Sequence, residues 1–301
     1  AGRITSPSGR IQKLPFEDLV ADWAVDKGLL TLSPRARVFH GTLAARVETD
    51  LAHPASESRV SLDVRSVAAA PFVESLTSLR NVIAGVLTAK VSLSSRGLGW
   101  VALTRTARGE GRVTLENTDL RTVELMPAVT RSLAALANVP GFRVPANLES
   151  TRFTTLATNV RLAGGRVATP GLSLSGPQAT VTADGSLGFD RSLSYQGRIV
   201  LGPALVKSFG RAGRYIADEQ GRLALPFRVT GQVTAPKVSI DETIVLALGQ
   251  RVLARQVGER IPGGLGKVMG DALGESGGKK TEPLDFLQQL LKPSRPTPKP
   301  H

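Results

Sequence analysis

The chain contains no cysteine. Disulfide frameworks and thiolate metal centres are therefore excluded, while an oxidising compartment remains compatible with the composition. Aromatic residues make up only 4%, too few for the stacked platforms that grip sugar rings or bases. Acidic side chains are in deficit, 25 against 38 Lys and Arg, which leaves a net charge of +13. Long apolar runs are also missing. The longest, IVLAL at 244–248, falls far short of the roughly 20 residues a membrane-spanning helix needs, so any membrane anchor is expected outside this stretch. The chain starts on Ala1 without a basic and apolar leader, and reads as a fragment or a processed product.

What is present points to β structure. Hydrophobic residues reach 41%, and Val, Leu, Ala, Thr, Ser and Gly dominate, a mixture suited to pleated sheet with frequent turns. The positive charge favours anionic partners, but the Arg residues are scattered singly, without ribonucleoprotein motif, zinc-finger spacing or basic zipper. An anionic membrane surface fits that distribution; nucleic acid is not an expected partner.

Period-two spacing runs through much of the chain. In 179–189 the odd positions are Ala, Val, Ala, Gly, Leu and Phe and the even ones Thr, Thr, Asp, Ser and Gly. After a turn at Asp190-Arg191 the same parity continues as Leu193, Tyr195, Ile199 and Leu201. Leu19, Trp23 and Val25 alternate likewise before DKG, as do Leu43 and Val47, Leu87, Val91 and Leu93, and Leu223, Leu225, Phe227 and Val229. Pro226 interrupts the last run and argues for an edge or a bulge there. Sliding the chain by about 137 positions places Phe16 on Phe153, Leu19 on Leu156, Gly28 on Gly165 and Leu30 on Val167, so two related hairpins head two halves.

Where the spacing changes to i, i+4, i+7, short proline-led helices are expected near 71–82 and 125–138. Another is expected over GPALVKSFGRAGRYIA, and a longer amphipathic one near 243–260 with Ile244, Leu248, Val252, Val257 and Ile261 as its stripe. Residues 17–240 are otherwise expected to be antiparallel strand.

Chemistry is sparse. The three histidines, His40 within strand spacing, His53 in a loop and His301 at the end, cannot be assembled into a metal site by spacing. Glu116 and Asp119 are near in sequence but fit turn positions better than an acid and base pair. GGLGKVMG at 263–270 lacks the Gly and the Ser or Thr of a phosphate loop, and GLSLSG at 171–176 lacks the spacing of a nucleophile elbow. The chain is read as non-enzymatic, without cofactor or metal.

Four stretches together, IAGVLTAKVSLSSRG, GEGRVTLENTDLRTVELMPAV, FTTLATNVRLAGGRVATPGLSLSGPQATVTADGSLGFDRSLSYQGRIVL and LALPFRVTGQVTAPKVSID, resemble in their order the carboxy-terminal region of the AsmA-like family of TamB-related bacterial envelope proteins. The resemblance covers most of 30–245. It implies a long curved antiparallel sheet with an apolar groove on its concave face, held at the periplasmic face of the inner membrane by an anchor outside this chain. It also implies a part in phospholipid transport towards the outer membrane and in outer-membrane homeostasis, or, as in the TamB-like relatives, in outer-membrane protein assembly with envelope protein partners.

The expectation is thus a mainly β chain. Residues 1–240 form a β-groove domain, 241–273 a helical segment, and 274–301 a linker, short helix and basic Pro-rich tail. A phospholipid or other acyl-chain lipid would lie on Leu19, Trp23, Val25, Leu43, Val47, Leu87, Val91, Leu93, Val181, Leu187, Phe189, Leu193, Tyr195, Ile199, Leu201, Leu223, Leu225, Phe227 and Val229. A closed sandwich, whose inner faces cover each other, remains the alternative.

Overall fold

Two-residue turns with positive φ at both positions match the twist of the strands they join, and the chain uses them repeatedly. Lys27-Gly28 has φ of 47° and 85°, Phe39-His40 of 44° and 69°, and Gly164-Gly165 of 56° and 69°. The first and third of these close the two hairpins that the internal similarity aligns. His40 is therefore an exposed turn residue and not a strand residue.

The computed structural model describes residues 1–53, 57–96, 105–120, 122–144 and 152–260. Fourteen strands form one antiparallel sheet. They are β1 (Gly2–Ile11), β2 (Leu14–Asp26), β3 (Leu29–Val38), β4 (Gly41–Asp50), β5 (Glu57–Ala68), β6 (Ile83–Arg96) and β7 (Arg108–Leu120). The series continues with β8 (Arg152–Ala163), β9 (Arg166–Ala168), β10 (Leu172–Ser175), β11 (Ala179–Gly188), β12 (Ser192–Leu201), β13 (Leu223–Gln232) and β14 (Ala235–Ile240). Order in the sheet follows order in sequence, with β9 and β10 both lying between β8 and β11. The sheet does not close into a barrel: among the described residues β1 pairs with β2 alone and β14 with β13 alone.

β1 has no period-two signal, and periodicity misses it. Aromatic rings hold it instead. The Trp23 indole lies where a Cβ on Gly2 would be, 2.8 Å from its Nε1, and the Phe16 ring lies in the same way over Gly9, a covering of edge glycines that pins register. Pro226 is interior by strand order, but its carbonyl meets Asp241 N, just beyond the end of β14. Its missing N–H therefore faces the place where that ladder stops.

Five short or medium helices accompany the sheet among the described residues: α1 (Ala69–Leu76), α2 (Leu125–Ala134), α3 (Pro203–Lys207), α4 (Gly213–Ile216) and α5 (Glu242–Arg260). α1 ends six residues before the expected boundary, because Thr77 is extended and its hydroxyl donates to Val73 O at 2.8 Å. The expected helix over 202–217 is two separate turns, α3 and α4, broken at Gly210 with φ of 79°. In α5 the buried positions are Val245, Leu248, Gly249 and Val252, with Ile244 at the margin of that stripe. Ala1–Gly249 forms one compact unit, and Gln250 onward belongs to a second. The expectations for Trp100, Val257 and everything from Ile261 to His301 lie outside the described residues and side chains.

Candidate functional site

Register converts the alternation into a surface. In antiparallel pairs, residues directly opposite share a face. One cross-strand row runs Trp23, Leu32, Val47, Val60, Leu93, Gly109, Leu162, Val167, Leu187, Leu193. At about 4.8 Å per step this row measures roughly 43 Å along the sheet. It carries no charged residue. Gly109 is the gap in it, and Leu93 leans across, its Cδ2 2.4 Å from where a Gly109 Cβ would stand.

A second row on the same face runs Val67, Leu87, Leu115, Leu156, Leu174, Val181, Ile199, Leu225. The two rows share a face but not an environment. In the second, Val67, Ile199 and Leu225 are 0% exposed and Val181 1%. In the first, Trp23 is 39% exposed, and the remaining side chains from Leu32 to Leu193 are half-buried. Helices make the difference. Phe72 of α1 joins Val38, Val64, Val67 and Ala89 in a buried cluster, and α2, packed on β14, buries Leu125, Met126, Val129 and Leu133. Beyond α2, Phe142 stacks on Phe209 with ring centroids 5.5 Å apart.

The residues expected to line a groove therefore divide. Eighteen share the apolar face; Phe189 lies past the end of β11, in the turn, and is exposed. Of those eighteen, Val181, Ile199, Leu201, Leu223, Leu225, Phe227 and Val229 are buried, and here the structure corrects the expectation that they line an open groove. Leu19, Trp23, Val25, Leu43, Val47, Leu87, Val91, Leu93, Leu187, Leu193 and Tyr195 remain half-buried or exposed. Leu32, Val60, Leu62, Val160, Leu162 and Val167 complete the open rows. Periodicity alone could have added Val60 and Leu62.

The opposite face is polar and basic. Asp63, Lys90, Arg112 and Asn159 form one cross-strand row and Arg46, Ser61, Ser92, Glu110 and Arg161 the next. Arg65 donates to both carboxylate oxygens of Asp63, at 3.0 and 2.7 Å, and this pairing, helped by Lys90, holds Asp63 below the usual carboxylate range. Among the described residues no three His, Cys, Asp or Glu side chains come together as metal ligands. Glu116 and Asp119 sit on β7, where Glu116 is exposed.

No family model, no curated protein and no solved structure matches this chain.

Proposed function

We propose that the chain is a non-enzymatic carrier surface for acyl-chain lipids, working at the periplasmic side of an envelope and moving phospholipid between inner and outer membranes. The observation that carries this reading is the open apolar row from Trp23 to Leu193, long enough for several lipids side by side and free of reactive groups. The resemblance to AsmA-like proteins supports it. An exposed apolar strip of this extent marks an interaction surface on a folded protein. Each methylene laid against it gains about 0.8 kcal/mol, so part of one tail compensates for its exposure. The basic reverse face would be attracted to anionic headgroups by up to about 1 kcal/mol per cation near the surface.

Native mass spectrometry of the purified chain, followed by lipid extraction, tests the reading. Bound phospholipid is expected, and Val47→Lys or Leu93→Lys should remove it from a chain that stays folded, while Ser61→Lys or Ser92→Lys on the reverse face should not. A lipid-free wild-type chain, or inward lysines that retain normal lipid, would overturn the reading.

A scaffold for outer-membrane protein assembly is the second reading, favoured by one feature. Among the described residues β1 offers a ten-residue edge with no second neighbour, against six residues in β14; both edges carry a proline and basic side chains, Pro7 with Arg3 and Arg10 in one and Pro236 with Lys237 in the other, so length is what favours β1 for strand addition. Cross-links from a photoreactive residue at Thr5 to an extended partner segment, unaffected by Val47→Lys, would favour it.

A further inference from the structure

An apolar cavity of about 320 Å³ opens off the exposed row. Its floor is the sheet face from Leu187, Leu193 and Tyr195 inward to Val181. Its other walls come from α1 and the strap that follows it, through Val73, Leu79 and Ile83, and from the β7–α2 connection, through Leu120 and Val123. Among the described residues no Asp, Glu, Lys, Arg or His lines it. Tyr195 and Thr122 supply the hydroxyls; Tyr195 Oη is 3.2 Å from Thr169 Oγ1, and Thr122 Oγ1 is buried without a partner among the described residues.

Shape and charge select the occupant. From Leu187 to Val181 the floor follows β11 through six residue steps, about 20 Å at the strand rise, the reach of an extended long-chain tail. The volume stands at the lower end of the roughly 300–1,000 Å³ of small-molecule sites, enough for one chain and not for the paired tails of a diacyl lipid. The described lining residues carry no charge and no carboxylate, which disfavours a polar headgroup against them, because burying one unpaired is costly. Leu187 and Leu193 belong both to the cavity and to the open row, so the two spaces are continuous. Beside that junction, Arg191 donates from its guanidinium to Ser78 Oγ on the strap, and its carbonyl accepts from the lining residue Val233. A cation therefore stands where the head of an inserted amphiphile would stay in water.

We infer that this cavity is a chamber for a single hydrocarbon chain with an acidic head, lying along β11 at right angles to the open row. The inference rests on the lipid reading above and deepens it: the row would hold lipids loosely and the chamber would seat one chain. The chain could be that of a free fatty acid or one tail of a phospholipid.

Photo-cross-linking on the unmodified chain separates these cases. An oleic acid analogue with a diazirine at its tail end should label peptides containing Leu172–Leu174 or Val181–Ala183, the inner end of the lining. A phosphatidylglycerol with one such tail should label the same peptides if a phospholipid tail enters, and only peptides around 23–62 if the free acid is the ligand. Oleate label confined to 23–62 overturns the chamber and leaves the open row standing. Chamber label with none at 23–62 supports the chamber and removes the wider reading. Leu193→Trp and Ile83→Phe fill the cavity from opposite walls, and in a folded variant either should weaken oleate binding about tenfold or more; undiminished oleate binding in either would refute the inference.

Discussion

A lysine at position 181 reports directly on whether the apolar face is covered. Val181 is 1% exposed and pairs with Ile199, itself 0% exposed, so an ammonium placed there cannot reach water without displacing its cover. Buried lysines respond by losing their proton, with pKa values that fall by up to about 5 units from roughly 10.4. At pH 7 the deprotonation alone costs about 4.6 kcal/mol, from about 3.4 units at about 1.36 kcal/mol each. Crowding by the longer chain adds about 1 to 3 kcal/mol. A domain of ordinary stability, about 5–15 kcal/mol, would be largely spent or unfolded. The sign with pH follows from linkage: the unfolded chain holds the proton at pH values where the folded one does not, so stability rises with pH, by about 1.4 kcal/mol per unit between pH 7 and 10. Val47→Lys on the open row behaves differently, since the stem can lie on the sheet while the ammonium stays in solvent; its cost should stay within about 1 kcal/mol and not vary with pH. Urea unfolding of both variants at pH 7, 8 and 9 measures the contrast. If Val181→Lys proves as stable as Val47→Lys at pH 7, or its stability is flat with pH, the face over β11 is open and the division drawn here is wrong.

Two further perturbations probe single groups. Thr122→Val removes the buried hydroxyl that has no partner among the described residues and should raise stability by about 1 kcal/mol; a loss in thermal unfolding would show that the hydroxyl is satisfied. Asp241, just before α5, accepts from Thr243 N at 3.0 Å and Thr243 Oγ1 at 2.6 Å, contacts that hold its carboxylate below the usual range. Its contribution should therefore be present above the unfolded-state pKa and lost as pH falls through the lower folded value. Asp241→Ala should lower Tm at pH 7 and converge with wild type in acid, and a gap that persists at pH 2 would contradict the cause assigned.

Vesicle co-sedimentation tests the basic face. Anionic bilayers should be preferred over zwitterionic ones, with the preference weakened by salt; equal sedimentation with both would count against a role for that face.

The sequence by itself determined which residues share a face. A strand places successive side chains on opposite sides whatever surrounds it, so the alternation of Val181, Leu187, Leu193 and Leu225 against Thr182, Ser186, Ser194 and Arg228 already separates a dry side from a wet one. The turns at Gly28, Gly165 and Asp190-Arg191 were equally legible, because their residues suit the backbone they adopt. Bulges were not. Register slips between Val64 and Val67, with Ser66 at a φ of 52°, and again between Ala84 and Val86. Each slip changes parity in mid-strand, so that Val67 joins Val64 on one face, and no local residue pattern announces it. β1 was hidden because its pairing depends on rings from β2. Most of all, only the tertiary structure decided which part of the dry side is core and which is open. Val181 and Val47 look alike in a strand pattern. One is covered and the other is not, because the segments at 69–82 and 125–143, remote in sequence from most of the face, pack over one row and stop short of the next.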